Sequence, residues 1–259
     1  MDLKLDGKVA LVTGGNKGLG AASAKALAAD GARLFLTARN QADLDAVAAE
    51  IGAGTAVLAC DLTEADGADR VAAAALDRYG RIDILVNCAG ASQGGVFWEI
   101  PDQVWQDSLE LKFMANVRMM RAVIPTMRAR KYGRIVNVIG NNGKQPSPRL
   151  LPGSAANAAL LAVTKGLADE VAGDGIVVNA VNPGPTRTER WNTLMTNLAA
   201  ASGRGVDEVE RDFTNQIPMD RLGAPEEIAG IIAFLASDAA ANMTGTSITA
   251  DGGWTKALA

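Results

Sequence analysis

Thr13-Gly14-Gly15-Asn16-Lys17-Gly18-Leu19-Gly20 follows directly on the apolar run Val9-Ala10-Leu11-Val12. An apolar strand that enters a glycine turn and leaves it as a helix is the arrangement that seats a dinucleotide's pyrophosphate on a helix N-terminus. Each glycine has its own reason to be there: Gly14 for the tight turn, Gly18 for close approach of the backbone to phosphate, Gly20 for packing of helix on strand. Asn16, Lys17 and Leu19 complete the expected phosphate loop.

Outside this turn, apolar runs alternate with longer helical patterns along the whole chain. Strands are predicted at Val9–Thr13, Arg33–Thr37, Ala56–Cys60, Ile84–Asn87, Arg134–Ile139, Val177–Val181 and Ser247–Ala250. Helical patterns fall near 18–30, 41–51, 64–79, 102–130, 155–173, 190–215 and 225–237. Nearly continuous apolar strands joined by helices predict an α/β fold: a doubly wound parallel sheet of about seven strands, helices on both faces, of the Rossmann type. No linker or repeat divides residues 1–259, so one domain is expected. Two segments break the alternation, an irregular loop over 140–153 and a lid-like stretch over 184–222. Both follow strands, and in open α/β sheets ligands bind outside the carboxyl ends of the strands.

Composition narrows the chemistry. The chain has 259 residues, 48% of them hydrophobic and 21% charged, with a net charge of −4. That balance carries no footprint for nucleic acid or an anionic membrane, and no apolar stretch is long enough to cross a bilayer or to act as a signal segment. A cytoplasmic location and a small-molecule substrate are expected. The two cysteines, Cys60 and Cys88, read as small buried side chains. Histidine is absent. Ser/His and Cys/His nucleophile pairs are therefore excluded, no metal site is expected, and acid–base work falls to Lys, Tyr, Asp, Glu or water.

Further motifs stand in order along the chain. Cys60-Asp61-Leu62 follows the third strand, and Asn87-Cys88-Ala89-Gly90 the fourth. Asn182-Pro183-Gly184-Pro185-Thr186-Arg187-Thr188 follows the sixth, and the C-terminal part carries Pro225-Glu226-Glu227-Ile228 and Asp251-Gly252-Gly253. With the glycine turn, this set resembles the short-chain dehydrogenase/reductase family from end to end. The resemblance implies a nicotinamide cofactor, with Asp61 and Leu62 at the adenine, Asn87, Ala89 and Gly90 along the cofactor, and Pro183, Gly184, Thr186 and Thr188 at the carboxamide. It also implies a homotetramer or homodimer packed through the two long central helices. An acidic residue after the second strand would select NAD(H), but neutral Ala38 falls there, followed by Arg39. Arg39 and Lys17 can each meet a 2′-phosphate, so NADP(H) is favoured over NAD(H).

The family's catalytic pattern is Asn, Ser and Tyr-x-x-x-Lys, and here the resemblance breaks. The only tyrosines, Tyr79 and Tyr132, have Asp83 and Val136 four residues on. Aligned through Gly133–Asn137 and the 154–168 segment, Gly140 falls at the serine, Gly153 at the tyrosine, Asn157 at the lysine and Lys112 at the asparagine. Lys112 and Asn157 look like an exchanged pair that keeps one cation and one amide in the pocket. Buried, Lys112 would have a lowered pKa and act as proton donor; otherwise it reaches solvent or pairs with Glu110. Asn157 is expected to bind the ribose hydroxyls. Ser154 either supplies a hydroxyl or caps a helix beginning at Ala155, and Asn141, Asn142 and Lys144 are candidates to face the substrate. Gln93, Trp98 and Gly153 are expected to line the pocket, and Trp191 either stacks on the substrate or belongs to a core.

The expected function is NADP(H)-dependent hydride transfer to a C=O, C=C or C=N group through a non-standard site. Two alternatives stay open on the same scaffold: a redox-neutral lyase, dehydratase or isomerase, and a non-catalytic NADP(H)-sensing protein.

Overall fold

The computed structural model describes residues 3–91 and 93–257. Seven parallel strands form one sheet: β1 Val9–Thr13, β2 Arg33–Ala38, β3 Ala56–Ala59, β4 Ile84–Asn87, β5 Gly133–Val138, β6 Ile176–Pro183 and β7 Ser247–Ala250. Their spatial order is β3-β2-β1-β4-β5-β6-β7, and the direction of winding reverses between β1 and β4. That switch point opens a crevice at the carboxyl ends of the strands.

Successive side chains of a strand point to opposite faces, and the two cores follow from that alternation. Val9, Leu11, Phe35, Leu85, Ile135 and Val178 bury one face under α3 (Gly67–Tyr79), α5 (Ala115–Arg130) and α6 (Leu151–Val171). Ala10, Val12, Leu34, Leu36, Ile84, Val86, Val136 and Val181 bury the other under α1 (Gly18–Ala29), α2 (Gln41–Ile51) and α9 (Pro225–Leu235). Covered on both sides, the central strands need apolar residues at every position, which is why they read as unbroken runs.

Three departures from the sequence expectation shape the site. The 102–130 pattern is not one helix: α4 (Asp102–Leu109) passes into a π turn over Glu110–Met114 before α5 begins. The helix expected from Ala155 starts at Leu151, because Pro152 sits in the first turn, where its missing N–H costs nothing. The 190–215 pattern divides into α7 (Glu189–Ser202) and α8 (Val206–Thr214) at Gly203, whose φ of +67° ends the first helix. These two helices carry their own small core of Trp191, Met195, Ala199, Val209, Ile217 and Leu222, closed by Phe213 and Trp254. Among the described residues no helix is long and apolar enough to cross a membrane.

Candidate active site

The crevice is built first from two turns held together. Thr13 ends β1, and its hydroxyl accepts from the backbone N–H groups of Cys88 (3.0 Å) and Ala89 (3.1 Å) beyond β4. Gly14, at φ +65°, lies so close to this second turn that a Cβ would stand 3.0 Å from the Ala89 nitrogen. A Cβ on Gly20 would stand 2.1 Å from the Gly14 oxygen, so α1 packs on the turn only without one. Gly18, at φ +55°, faces Thr188 across the cleft. No side chain caps α1, and no acid sits in its first turn. Its first N–H groups therefore remain free of a side-chain acceptor, which suits a pyrophosphate.

Around this cradle the other cofactor candidates take their places. Asn16 donates to the Asp43 carboxylate at 3.1 Å, and Lys17 pairs with Glu189 of α7 at 3.3 Å, over the mouth of the cleft. Leu19, in the first turn of α1, packs against the core. Arg39 is exposed after β2 and has no ion-pair partner among the described residues. Asp61 accepts from the Thr63 N–H (2.9 Å) and hydroxyl (2.8 Å). Chiefly the backbone bond, with help from the hydroxyl and the Arg39 charge, holds its carboxyl below the ordinary value against its burial. Leu62 is buried beneath it. Asn87 donates to Asn137 at 2.9 Å within the sheet, and Asn137 donates to Thr164 of α6 at 2.9 Å, so an amide chain crosses from β4 to α6. Beyond β6, Gly184 packs on Asp251 where a Cβ would overlap at 2.4 Å, and the Thr186 hydroxyl donates to the Gly184 carbonyl at 3.0 Å. Thr188 caps α7 by accepting from the Trp191 N–H at 3.3 Å.

Lys112 lies in the π turn and runs alongside Gly90, whose hypothetical Cβ would stand 3.4 Å from the lysine Cγ. Asn116 donates to the Lys112 carbonyl at 2.6 Å, satisfying an acceptor that the irregular turn leaves open. Glu110, the acid expected as one partner, is paired with Arg118 instead. No carboxylate pairs with Lys112 among the described residues. Burial, with the nearby Arg190 charge, pushes its ammonium down to about 8, while the adjacent Cys88 opposes this. Burial in turn pushes the Cys88 thiol up to about 12. The group beside Lys112 is therefore a neutral thiol.

Asn157 is buried on α6, and its amide donates to the Gly140 carbonyl at 3.2 Å, joining the helix to the end of β5. Gly153 is one helical turn earlier on the same face, also buried. Lys112, Gly140, Gly153 and Asn157 thus border the carboxyl ends of β4 and β5.

Other candidates are placed elsewhere. Ser154 does not cap a helix, since α6 has already begun; its hydroxyl donates to the Leu150 carbonyl at 3.0 Å. Asn141 turns its amide to the Thr255 hydroxyl (3.4 Å) and to Asp251, which commits it to the C-terminal segment. Lys144 reaches the Ser247 carbonyl at 3.1 Å and so anchors the 140–145 loop to β7. Trp191 is not a stacking platform: it is 7% exposed and meets Phe213 edge-to-face at 5.6 Å. Trp98 stands 82% exposed on a short 3-10 turn, Gln93 is exposed, and Asn142 is half-buried. Both tyrosines are at the opposite end of the sheet. The Tyr79 hydroxyl meets the Leu34 carbonyl at 2.9 Å, and the Tyr132 hydroxyl donates to Asp238 at 3.0 Å.

The sequence reading missed two neighbours of Lys112. Cys88 passed for an inert core residue. Arg190, in the first turn of α7, donates to the Gly90 carbonyl at 3.0 Å. Its place just after the Thr188 cap was the available signal.

A parallel sheet of this order, with a glycine cradle and an uncapped helix start at its switch point, defines a dinucleotide-binding α/β protein. The family model described as enoyl-(acyl carrier protein) reductase matches residues 14–255. The chain belongs to that family, within the short-chain dehydrogenases/reductases. It is 42% identical over 251 residues to a protein of Streptomyces virginiae named for a ketoacyl reductase role in the monensin polyketide synthase, covering 95% of this chain and 96% of that one. It is 34% identical to the 3-oxoacyl-[acyl-carrier-protein] reductase FabG of Escherichia coli, over 97% and 98% of the two chains. Among solved structures, L-sorbose reductase from Gluconobacter frateurii, complexed with NADPH and L-sorbose, superposes with a TM-score of 0.95 at 35% identity, over 100% of both chains.

Proposed function

We propose that this chain is an NADP(H)-dependent reductase of a small organic substrate bearing a C=O, C=C or C=N group, in which Lys112 takes the proton-transfer role. The observation that carries this reading is the half-buried Lys112 amine, unpaired by any carboxylate among the described residues and lowered to about 8. The cofactor cradle fits the assignment: Gly14, Gly18, Gly20 and the uncapped start of α1 suit the pyrophosphate, Asp61 and Leu62 the adenine side, and exposed Arg39 the 2′-phosphate. Bound there, a reduced nicotinamide supplies a hydride.

The residues supply the rest. Near neutral pH an amine with a pKa of about 8 is still mostly protonated, yet gives up its proton far more readily than an ordinary lysine. Lys112 donates that proton to the substrate heteroatom, or to the carbon next to the one reduced, and is recharged from water. Before transfer, its positive charge stabilises developing negative charge in a site of low polarity. Asn157 holds the ribose hydroxyls, and Thr188 and the Pro183–Thr186 turn orient the carboxamide. Gly140 and Gly153 leave room for substrate where the family pattern places a hydroxyl and a phenol.

We further propose assembly as a homodimer or homotetramer in the cytoplasm through α5 and α6. In support, Ala155, Ala158, Ala162 and Gly166 are small and exposed along α6, so that a second helix can approach closely. Oxidation of NADPH with a panel of enones, imines and ketones tests the reductase reading. Turnover that drops at least a hundredfold in Lys112→Ala supports it. Unchanged turnover in that variant removes Lys112 from the chemistry, and cofactor binding without turnover on any substrate removes the reductase.

A further inference from the structure

Two cations meet at Gly90. Arg190 donates to its carbonyl from the first turn of α7, and the Lys112 side chain passes beside its Cα from the π turn. The neighbouring charges are spoken for: Lys17 pairs with Glu189, Arg187 with Glu210, and Arg118 with Glu110. Arg190 pairs with no carboxylate among the described residues, and neither does Lys112. Among the described residues, the titratable group beside Lys112 at the end of β4 is the Cys88 thiol, which burial keeps neutral. A site with two positive charges and no acid to balance them favours an anion, and one bond to a carbonyl leaves most of the guanidinium fork unused. Arg190 is exposed to solvent, while Lys112 is half-buried, so the two differ in what they can offer.

We propose that the substrate is an organic acid whose carboxylate is held by Arg190, with the reducible C=O, C=C or C=N group beside it and directed at Lys112. This rests on the reductase reading for the second group, but not for the first. Arg190 is a binding residue here: its planar fork fits a carboxylate in two parallel hydrogen bonds, and it discriminates against a neutral isostere of the same shape.

The test compares matched pairs by calorimetry on the protein saturated with NADP+: 2-oxobutyrate, 2-oxo-4-phenylbutyrate and cinnamate, each against its methyl ester. The expected result is at least one acid bound about ten- to a hundredfold more tightly than its ester. That preference should collapse towards unity in Arg190→Ala and in Arg190→Gln, with NADP+ affinity changed less than threefold. No acid bound more tightly than its ester overturns the proposal. So does an equal loss for acid and ester in the variants, or a loss confined to NADP+. Acid preference in binding together with no NADPH oxidation would remove the reductase reading and leave the carboxylate site standing.

Discussion

The side-chain amide of Asn157 donates to the backbone carbonyl of Gly140 across 3.2 Å, tying the middle of the site to the end of β5. A Cβ on Gly140 would stand 3.1 Å from that amide nitrogen, closer than most such contacts. The two positions therefore constrain each other. Asn157→Ala should lower stability by about 1–2 kcal/mol in urea unfolding, since it leaves a shielded carbonyl without its donor. Gly140→Ser should cost less, because the amide end of Asn157 can shift by a few tenths of an ångström. A Gly140→Ser loss larger than that of Asn157→Ala would mean that the Asn157 amide cannot move aside; no loss in Asn157→Ala would mean that the carbonyl has another partner.

The proposed role of Lys112 sets catalysis against stability. Folding moves its amine from the ordinary 10.5 down to about 8, so the folded state binds its proton less tightly than the unfolded chain does. The penalty is full below about pH 8 and disappears as pH climbs past 10.5. Lys112→Met should thus stabilise the protein at neutral pH, by about 2 kcal/mol, and the gain should shrink steadily between these limits. Urea unfolding of both proteins across that range measures it.

Activity should run the other way. As the proposed acid, Lys112 would work in its protonated form, so kcat should fall as pH rises through about 8. Lys112→Met should abolish that limb and lower kcat by a factor of about 100 or more. A falling limb retained in the variant would assign it to another group.

Neither tyrosine should take part in the chemistry, since both hydroxyls lie at the far end of the sheet. Tyr79→Phe removes a buried hydroxyl that meets the Leu34 and Gly54 carbonyls and should cost about 1–2 kcal/mol of stability. Tyr132→Phe breaks a bond to Asp238 at the far end of the sheet. The double variant should keep kcat within about twofold of the parent in steady-state assays, once the lost stability is allowed for. A hundredfold loss would place a phenol at the reacting centre.

Arg39 should decide between the two nicotinamide dinucleotides. It has no carboxylate partner among the described residues, and Ala38 beside it offers no acid to repel a 2′-phosphate. Arg39→Ala should weaken NADPH binding about tenfold or more and leave NADH within about twofold, measured by cofactor fluorescence. Equal weakening of both would show that Arg39 acts on a part that they share.

The sheet and the cradle were legible because their physics is local or nearly so. Strands buried on both faces spell themselves out as apolar runs, and Gly14 and Gly20 stand where a backbone approach leaves no room for a Cβ. The misplaced start of α6 came from assigning 151–153 to the irregular loop, although the first turn of a helix accepts Pro152. Trp191 looked available because polar residues surround it in sequence; its partners Phe213 and Trp254 arrive from far along the chain. Arg190 needed the fold of α7 over β4 before its contact with Gly90 existed at all. The π turn has no sequence signature that separates it from an ordinary helix, so Lys112 could be placed by alignment but not oriented.

That turn is a change of phase. One residue more than an α-helical turn requires is spent within Glu110–Met114, and each residue of a helix rotates the next by about 100°. The spiral before it and the spiral after it are thereby clocked differently, so each settles on the protein along its own seam while the residue between them swings inward. Excising a single residue here would re-time the whole upstream segment and carry the Lys112 side chain away from Gly90, beside which it now runs. The placement of this side chain depends as much on an inserted residue as on the choice of lysine.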